Sequence, residues 1–218
     1  MSIPLSIMLL IISYLLGSIP FALTAGKMVK KIDLREYGSK NLGATNTFRV
    51  LGLKWGIFVM LLDAFKAAAC VIVVQYNFFN IKDQVFHPLI YGLVAIIGHL
   101  LPIFAKFKGG KGVACTAGVM LAFNPVCSLF ALLVFIIVII ITKIVSISSL
   151  SSVTALFICS IIQIIVHYNF DNLMFLIASF IAFCFLFYTH RQNIGRLLRH
   201  EETKVTDIYN EHQKSKHK

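Results

Sequence analysis

Five stretches of this chain contain no Asp, Glu, Lys or Arg: 2–26, 84–105, 112–142, 144–170 and 172–190. A sixth, 55–81, is interrupted only by Asp63 and Lys66. An apolar helix needs about 20 residues to cross a bilayer. At least six such runs in 218 residues constrain the chain to an all-α, polytopic integral membrane protein. Composition agrees: 58% of residues are hydrophobic and 13% charged, against roughly 45–50% and about 25% in soluble domains. Disorder, a coiled coil and an ordinary cytosolic globule are excluded. The N-terminal run lacks a basic leader and is too long for a signal peptide.

The run 112–142 is long for one span and is broken by Asn124-Pro125, a turn signal. It reads either as two spans, about 113–123 and 126–142, or as one span with a re-entrant piece. Charge separates the two. With seven spans, the N-terminus lies outside and the C-terminus inside. Seven Lys and Arg then fall in 24–54, three in 105–112, one at Lys143 and seven in 190–218. That puts 18 of the 20 on the inner face, with only Lys82 outside and Lys66 within a span. A re-entrant piece splits the charge 10 against 9. The positive-inside rule therefore favours seven spans, N-terminus outside and C-terminus cytoplasmic. The expected layout is one membrane domain over 1–203, with cytoplasmic loops 33–52, 105–114 and 190–202, and a frayed polar tail over 204–218.

The net charge of +11 is not read as nucleic-acid binding, because the basic residues flank apolar segments. Cys70, Cys115, Cys127, Cys159 and Cys184 lie in apolar stretches without a C-x-x-C pair. They read as small buried hydrophobes rather than a disulfide framework or metal site. No H-E-x-x-H motif or Cys/His cluster is present, and no metal is expected.

Three polar segments share the expected inner face. The first, 33–49, carries Gly38, Ser39, Asn41, Gly43, Thr45, Asn46 and Arg49. Its glycines allow inward-turned amides that bind anions, and Arg49 offers a fork for phosphate or carboxylate. The alternative is a snorkelling interfacial loop. The second, 106–112, combines Lys106, Lys108 and Lys111 with Gly109, Gly110 and Gly112 before an apolar helix. Such a loop suits phosphate. It is not a Walker A sequence, so ATP and GTP are not implied. The alternative, a basic stop-transfer loop, explains the lysines but not the glycines. The third, 190–196, places His190 and Asn193 at i and i+3, on one face if helix continues. His can move protons and Asn can stabilise an oxyanion. A merely interfacial helix end is the alternative.

Within the membrane, Asp63 and Lys66 are also i and i+3. Intramembrane ions are costly, which leaves a structural pair or one supporting a site. His99 reads as a helix–helix hydrogen-bonding residue. The sum is a cationic, glycine-lined pocket at the bilayer surface, fit for a phosphorylated molecule meeting a lipid. A small-anion transporter and a lipid-binding scaffold use some of the same parts. A transporter needs access from both faces, and a scaffold gives no reason for the Ser/Asn/Thr/Arg clustering.

At these segments the chain resembles the bacterial acyl-phosphate-dependent glycerol-3-phosphate acyltransferases, the PlsY family, from Gly17 to about Glu202. Three blocks carry the resemblance: 38–52, 98–114 and 190–198. Asp63 and Lys66 also fall where the family has Asp and Lys. Lys40 and His200 stand where the family usually has Gly, and Cys115 where it usually has Thr, while Glu202 keeps an acidic position. The resemblance implies acyl transfer from acyl phosphate to the 1-hydroxyl of glycerol 3-phosphate, giving lysophosphatidic acid and phosphate without a cofactor. It implies Ser39, Arg49, Lys111, His190 and Asn193 as catalytic residues. Asn41, Gly43, Thr45, Asn46, Lys108, Gly109, Gly110, Gly112 and Glu202 are the expected substrate-binding residues, with Asp63, Lys66 and His99 in support. The expected partners are the two substrates and membrane lipids, for a monomer in the bacterial inner membrane with its site facing the cytoplasm.

Overall fold

The computed structural model describes residues 3–78 and 85–207. The expected outer-face Lys82 and the tail from 208 onward lie outside the described residues. Ten α-helices are described: α1 Ile3–Gly17, α2 Phe21–Lys30, α3 Ala44–Leu51, α4 Leu53–Gln75, α5 Pro88–Leu100, α6 Val113–Phe123, α7 Pro125–Thr142, α8 Val145–Val166, α9 Phe170–Thr189 and α10 Arg191–Leu198. No strand occurs among the described residues. Among the described residues, six segments are long and apolar enough to cross a membrane: Ile3–Lys30, Leu53–Gln75, Pro88–Ala105, Pro125–Thr142, Val145–Val166 and Phe170–Thr189. Val113–Phe123 is apolar but has only 11 residues. It rises about 16 Å, against a hydrocarbon core of roughly 30 Å.

The long run 112–142 is divided at Asn124-Pro125. Asn124 caps α7, its Oδ1 accepting from the Cys127 amide at 3.2 Å, and Pro125 opens the helix where its missing N–H is harmless. The first run differs from a single uninterrupted helix. It breaks between Gly17 and Phe21, where Pro20 cannot continue the hydrogen-bond ladder. The Ile19 carbonyl at this break accepts from the Phe21 amide at 3.2 Å and from Lys66 Nζ at 2.7 Å. A residue buried in α4 thus closes the gap in the α1–α2 segment.

Close backbone approach holds the bundle. A Cβ on Gly17 would run into the Ala95 backbone, and one on Gly118 into that of Ala64. Small residues thus let α1 meet α5 and α4 meet α6, the usual solution where lipid removes the hydrophobic drive between helices. Tyr91, Phe175, Val71, Val119 and Met120 fill the core between them.

The two ends of the bundle differ. At one end, Asn124 Nδ2 donates to Gln163 Oε1 at 2.6 Å and His87 Nε2 lies 3.2 Å from Asp171 Oδ1. At the other, the loops before α3 and α6 meet the starts of α8 and α10. There the Val205 amide donates to the Lys143 carbonyl at 2.8 Å, tying residues 204–207 to the α7–α8 turn.

Candidate active site

The loop 33–43 is built on its own side chains. Asp33 and Arg35 form a salt bridge; the Arg35 hydrogen bond holds the Asp33 carboxyl down at about 2. Asn46, buried in α3, organises the rest. Its Oδ1 accepts from the Ser39 amide at 2.7 Å, and its Nδ2 donates to the Leu34 and Tyr37 carbonyls at 3.2 and 3.1 Å. The Asn46 amide is therefore turned toward the loop backbone. Ser39 and Thr45 stay exposed, with Asn41 half-buried.

The glycine loop folds against the end of α5. The Gly110 amide donates to the His99 carbonyl at 3.2 Å, and the Leu42 amide to the Gly109 carbonyl at 3.4 Å. A Cβ on Gly109 would strike the His99 and Leu100 carbonyls; one on Gly110 would strike the His99 ring. These two glycines are required by packing. Gly112 is required by conformation, with φ +80° at the start of α6. Arg35 Nη1 donates to the Ala105 carbonyl at 3.1 Å, joining the first loop to the second.

At the third segment α9 ends and α10 begins at His190. Its Nδ1 lies 2.9 Å from the Leu186 carbonyl. A carbonyl only accepts, so Nδ1 carries the hydrogen and Nε2 the lone pair. Burial, then the Lys111 charge, pushes His190 down to about 4, and the ring is neutral near pH 7. Lys111 Nζ donates to Asn193 Oδ1. Asn193 Nδ2 donates to Glu202 Oε1 at 2.6 Å, Ser146 Oγ to the same oxygen at 2.9 Å, and Arg196 Nε to Oε2 at 2.6 Å. Burial pushes the Glu202 carboxyl up, but these bonds outweigh it and hold it below its ordinary value. Burial pulls Lys111 down to about 8; Glu202 opposes this, while Arg196 and Arg49 add to it.

Asp63, Lys66 and His99 form a buried cluster beneath these loops. Lys66 Nζ stands 2.7 Å from Asp63 Oδ1 and 3.2 Å from His99 Nδ1. Asp63, His99 and Cys115 bring three ligand-type atoms within 4.8 Å of one another. The Lys66 ammonium already stands against two of them, so the cluster carries its own cation.

One cavity of about 430 Å³ collects most of the expected residues. Ser39, Asn41, Gly43, Thr45, Asn46, Arg49, Lys111, Gly112, His190, Asn193 and Glu202 line its polar end, with Asp63 and His99 on its wall. Lys108, Gly109, Gly110 and Lys66 lie outside that lining. From the polar end the cavity continues between α4, α6, α7 and α8 along Met60, Leu61, Leu121, Leu132, Phe135 and Leu156. Arg196 and Ser146 belong to the site without having been singled out as site residues. Arg196 follows Asn193 at i+3, extending the face that starts at His190. Ser146, Ser149 and Ser152 recur at the same spacing in an apolar helix and line the same cavity. Both signals were present in the sequence.

A cationic, hydrogen-bonding end opening into an apolar slot suits an acyl group joined to phosphate. Comparison with known proteins gives the family. A family model described as glycerol-3-phosphate acyltransferase matches residues 7–200. Glycerol-3-phosphate acyltransferase 2 of Bacillus anthracis is 42% identical over 202 residues, 92% of this chain and 100% of that protein. Glycerol-3-phosphate acyltransferase of Macrococcus caseolyticus is 41% identical over 198 residues, 91% and 96% of the two chains. The crystal structure of PlsY, an integral membrane glycerol 3-phosphate acyltransferase, superposes in its glycerol 3-phosphate form. The TM-score is 0.79 at 35% identity, over 92% of this chain and 95% of that one. Its lysophosphatidic acid form gives 0.77 at 34%, over 91% and 94%. On a family match covering nearly all the membrane helices and all three polar segments, the chain belongs to the glycerol-3-phosphate acyltransferase family.

Proposed function

We propose that this chain transfers an acyl group from acyl phosphate to the 1-hydroxyl of glycerol 3-phosphate, releasing lysophosphatidic acid and inorganic phosphate. The observation that carries this reading is the single cavity joining Arg49 and Lys111 to an apolar slot. Two phosphorylated substrates repel each other, and fixed cations trade that repulsion for proximity. Arg49 and Lys111 orient the phosphates, with Asn41, Thr45 and the amides around Gly43 and Gly112 completing the anion site, while Lys108, exposed outside the lining, adds positive charge nearby. Gly109 and Gly110 hold the loop against α5, and Asn46 shapes the loop that presents Ser39. Asn193, steered by Glu202, sets Lys111 in place.

The chemical step is direct attack. The 1-hydroxyl oxygen bonds to the acyl carbon, the carbon–oxygen bond to phosphate breaks, and the hydroxyl proton leaves with the phosphate as hydrogen phosphate. His190 presents the Nε2 lone pair and accepts a hydrogen bond from the hydroxyl. Its low pKa favours orientation over full proton capture. Ser39 and Asn193 donate to the oxyanion that develops on the acyl carbonyl.

The same reading sets seven crossings, N-terminus outside and C-terminus inside, with the site facing the cytoplasm of a bacterial inner membrane. In support, α6 begins beside Lys111 at the polar end, and Asn124, which follows it, meets Gln163 at the far end. Its shortness sets the cationic end into the bilayer thickness, near where an acyl chain lies. One chain supplies every group named, so the unit acts as a monomer. Residues 1–203 form one domain with 204–218 as a polar tail.

The test is turnover by purified protein in detergent, with palmitoyl phosphate and glycerol 3-phosphate and no added metal. Lysophosphatidic acid and phosphate are expected in equal amounts, lost in Arg49→Ala, with no product from acyl-CoA. Turnover from acyl-CoA alone overturns the donor assignment.

A further inference from the structure

The Lys66 ammonium has three hydrogens and no acceptor. Three acceptors surround it: the Ile19 carbonyl at 2.7 Å, Asp63 Oδ1 at 2.7 Å and His99 Nδ1 at 3.2 Å. Asp63 Oδ1 also lies 3.4 Å from His99 Nδ1, but hydrogen-bond geometry at Nδ1 is met toward Lys66 and not toward that oxygen. The nearer neighbour of Nδ1 is thus a group that can only donate. Nδ1 is therefore the acceptor of a neutral ring, and Nε2 carries the hydrogen.

That hydrogen lies where the glycine loop meets the cavity wall. A Cβ added to Gly110 would run into His99 Nε2, so the nitrogen stands directly against the glycine that precedes Lys111. The ring is 7% exposed, and its residue lines the cavity. Among the described residues, no protein acceptor stands against Nε2. An N–H that reaches the cavity without a protein acceptor is free to donate to an anion bound there.

We propose that His99 Nε2–H donates a hydrogen bond to an anionic oxygen of bound substrate. Asp63 and Lys66 act as positioning residues that fix the tautomer. The inference rests on the acyltransferase reading and adds a donor to it. The oxygen belongs to the phosphate of glycerol 3-phosphate, to that of acyl phosphate, or to the oxyanion formed between them.

Two substitutions separate the ring nitrogens. In His99→Gln the amide nitrogen reaches the position of Nε2; in His99→Asn the shorter side chain reaches only that of Nδ1. His99→Gln is expected to stay within about 3-fold of wild type in kcat/KM, and His99→Asn to lose about 10–100-fold, the range for a hydrogen bond to a charged group. A raised KM for glycerol 3-phosphate assigns its phosphate, a raised KM for acyl phosphate assigns that one, and a kcat loss alone assigns the oxyanion. The reverse order of the two variants, equal losses, or no loss in either overturns the proposal. Wild-type protein labelled with ¹⁵N-histidine supplies a measurement independent of variant folding. His99, assigned through its proximity to Lys66 and Gly110, is expected as the Nε2–H tautomer, with its Nε2 signal moving on addition of glycerol 3-phosphate. An Nδ1–H ring, or an unmoved signal at saturation, overturns the proposal. A wild type without turnover counts against the acyltransferase reading, while the tautomer still decides the hydrogen-bond arrangement of His99.

Discussion

Lys111 and Asn193 lie 82 residues apart in the sequence, yet the ammonium of one donates to the amide oxygen of the other. The contact joins the glycine loop to the helix after the last long apolar segment, and it continues through Asn193 Nδ2 to Glu202. Asn193 is thus the joint between a cation and the carboxylate that steadies it. Asn193→Ala removes both bonds at once. Steady-state kinetics with palmitoyl phosphate are expected to show kcat/KM for glycerol 3-phosphate lower by about 10–100-fold, the loss of one or two charge-assisted bonds. A variant near the wild-type rate would remove Asn193 from the machinery.

The same lysine sets a pH limit. Burial lowers Lys111 to about 8, partly offset by Glu202. In the empty enzyme it is an ammonium below that pH and a neutral amine above it. Affinity for a phosphate dianion therefore falls as pH rises through about 8. Glu202→Gln removes the charge that raises the Lys111 pKa, so the alkaline limb moves to lower pH. Profiles of kcat/KM between pH 6 and 10 check both statements, and a limb that stays put or moves upward in Glu202→Gln contradicts the second. His190, at about 4, contributes no limb between pH 6 and 8.

Two departures from the family pattern coincide with a backbone feature. Lys40 and His200 replace the usual Gly, and both adopt left-handed φ, +60° and +59°. A non-glycine residue there costs roughly 1–2 kcal/mol, and glycine returns part of the gain as unfolded-state entropy. His200→Gly is expected to stabilise the protein by about 0.5–1 kcal/mol in reversible unfolding from detergent micelles. Equal or lower stability contradicts it.

These positions show how far the sequence could be read. The apolar runs were legible because bilayer thickness fixes their length, and Asn124-Pro125 marked the division of 112–142 because a proline's chemistry is local. The glycines of 109–112 were visible as glycines, but the atoms that Gly109 and Gly110 avoid belong to α5, and only the folded chain brings them there. Asn46 carried a polar side chain at a plausible site, yet its partners are carbonyls 9 and 12 residues earlier. The break at Gly17–Pro20 was written in the proline. Its closure by Lys66, 47 residues on, was not, because it depends on how two segments cross.

The buried pair yields the last prediction. Asp63 and Lys66 are each almost wholly removed from solvent and stand 2.7 Å apart. Asp63→Asn leaves an ammonium facing a neutral amide in a low-dielectric interior, and an uncompensated buried charge costs about 3–5 kcal/mol. Lys66→Met added to it removes that charge, but also the donor facing His99 Nδ1 and one of the two donors to the Ile19 carbonyl, which keeps the Phe21 amide. The double variant is therefore expected to regain part of the loss without reaching wild type. The residual deficit is about 1–3 kcal/mol, the cost of a buried polar group without its partner. Unfolding of wild type, Asp63→Asn and the double variant in one detergent reads all three values. A double variant less stable than Asp63→Asn means that the break between α1 and α2, rather than the ion pair, is what Lys66 chiefly holds.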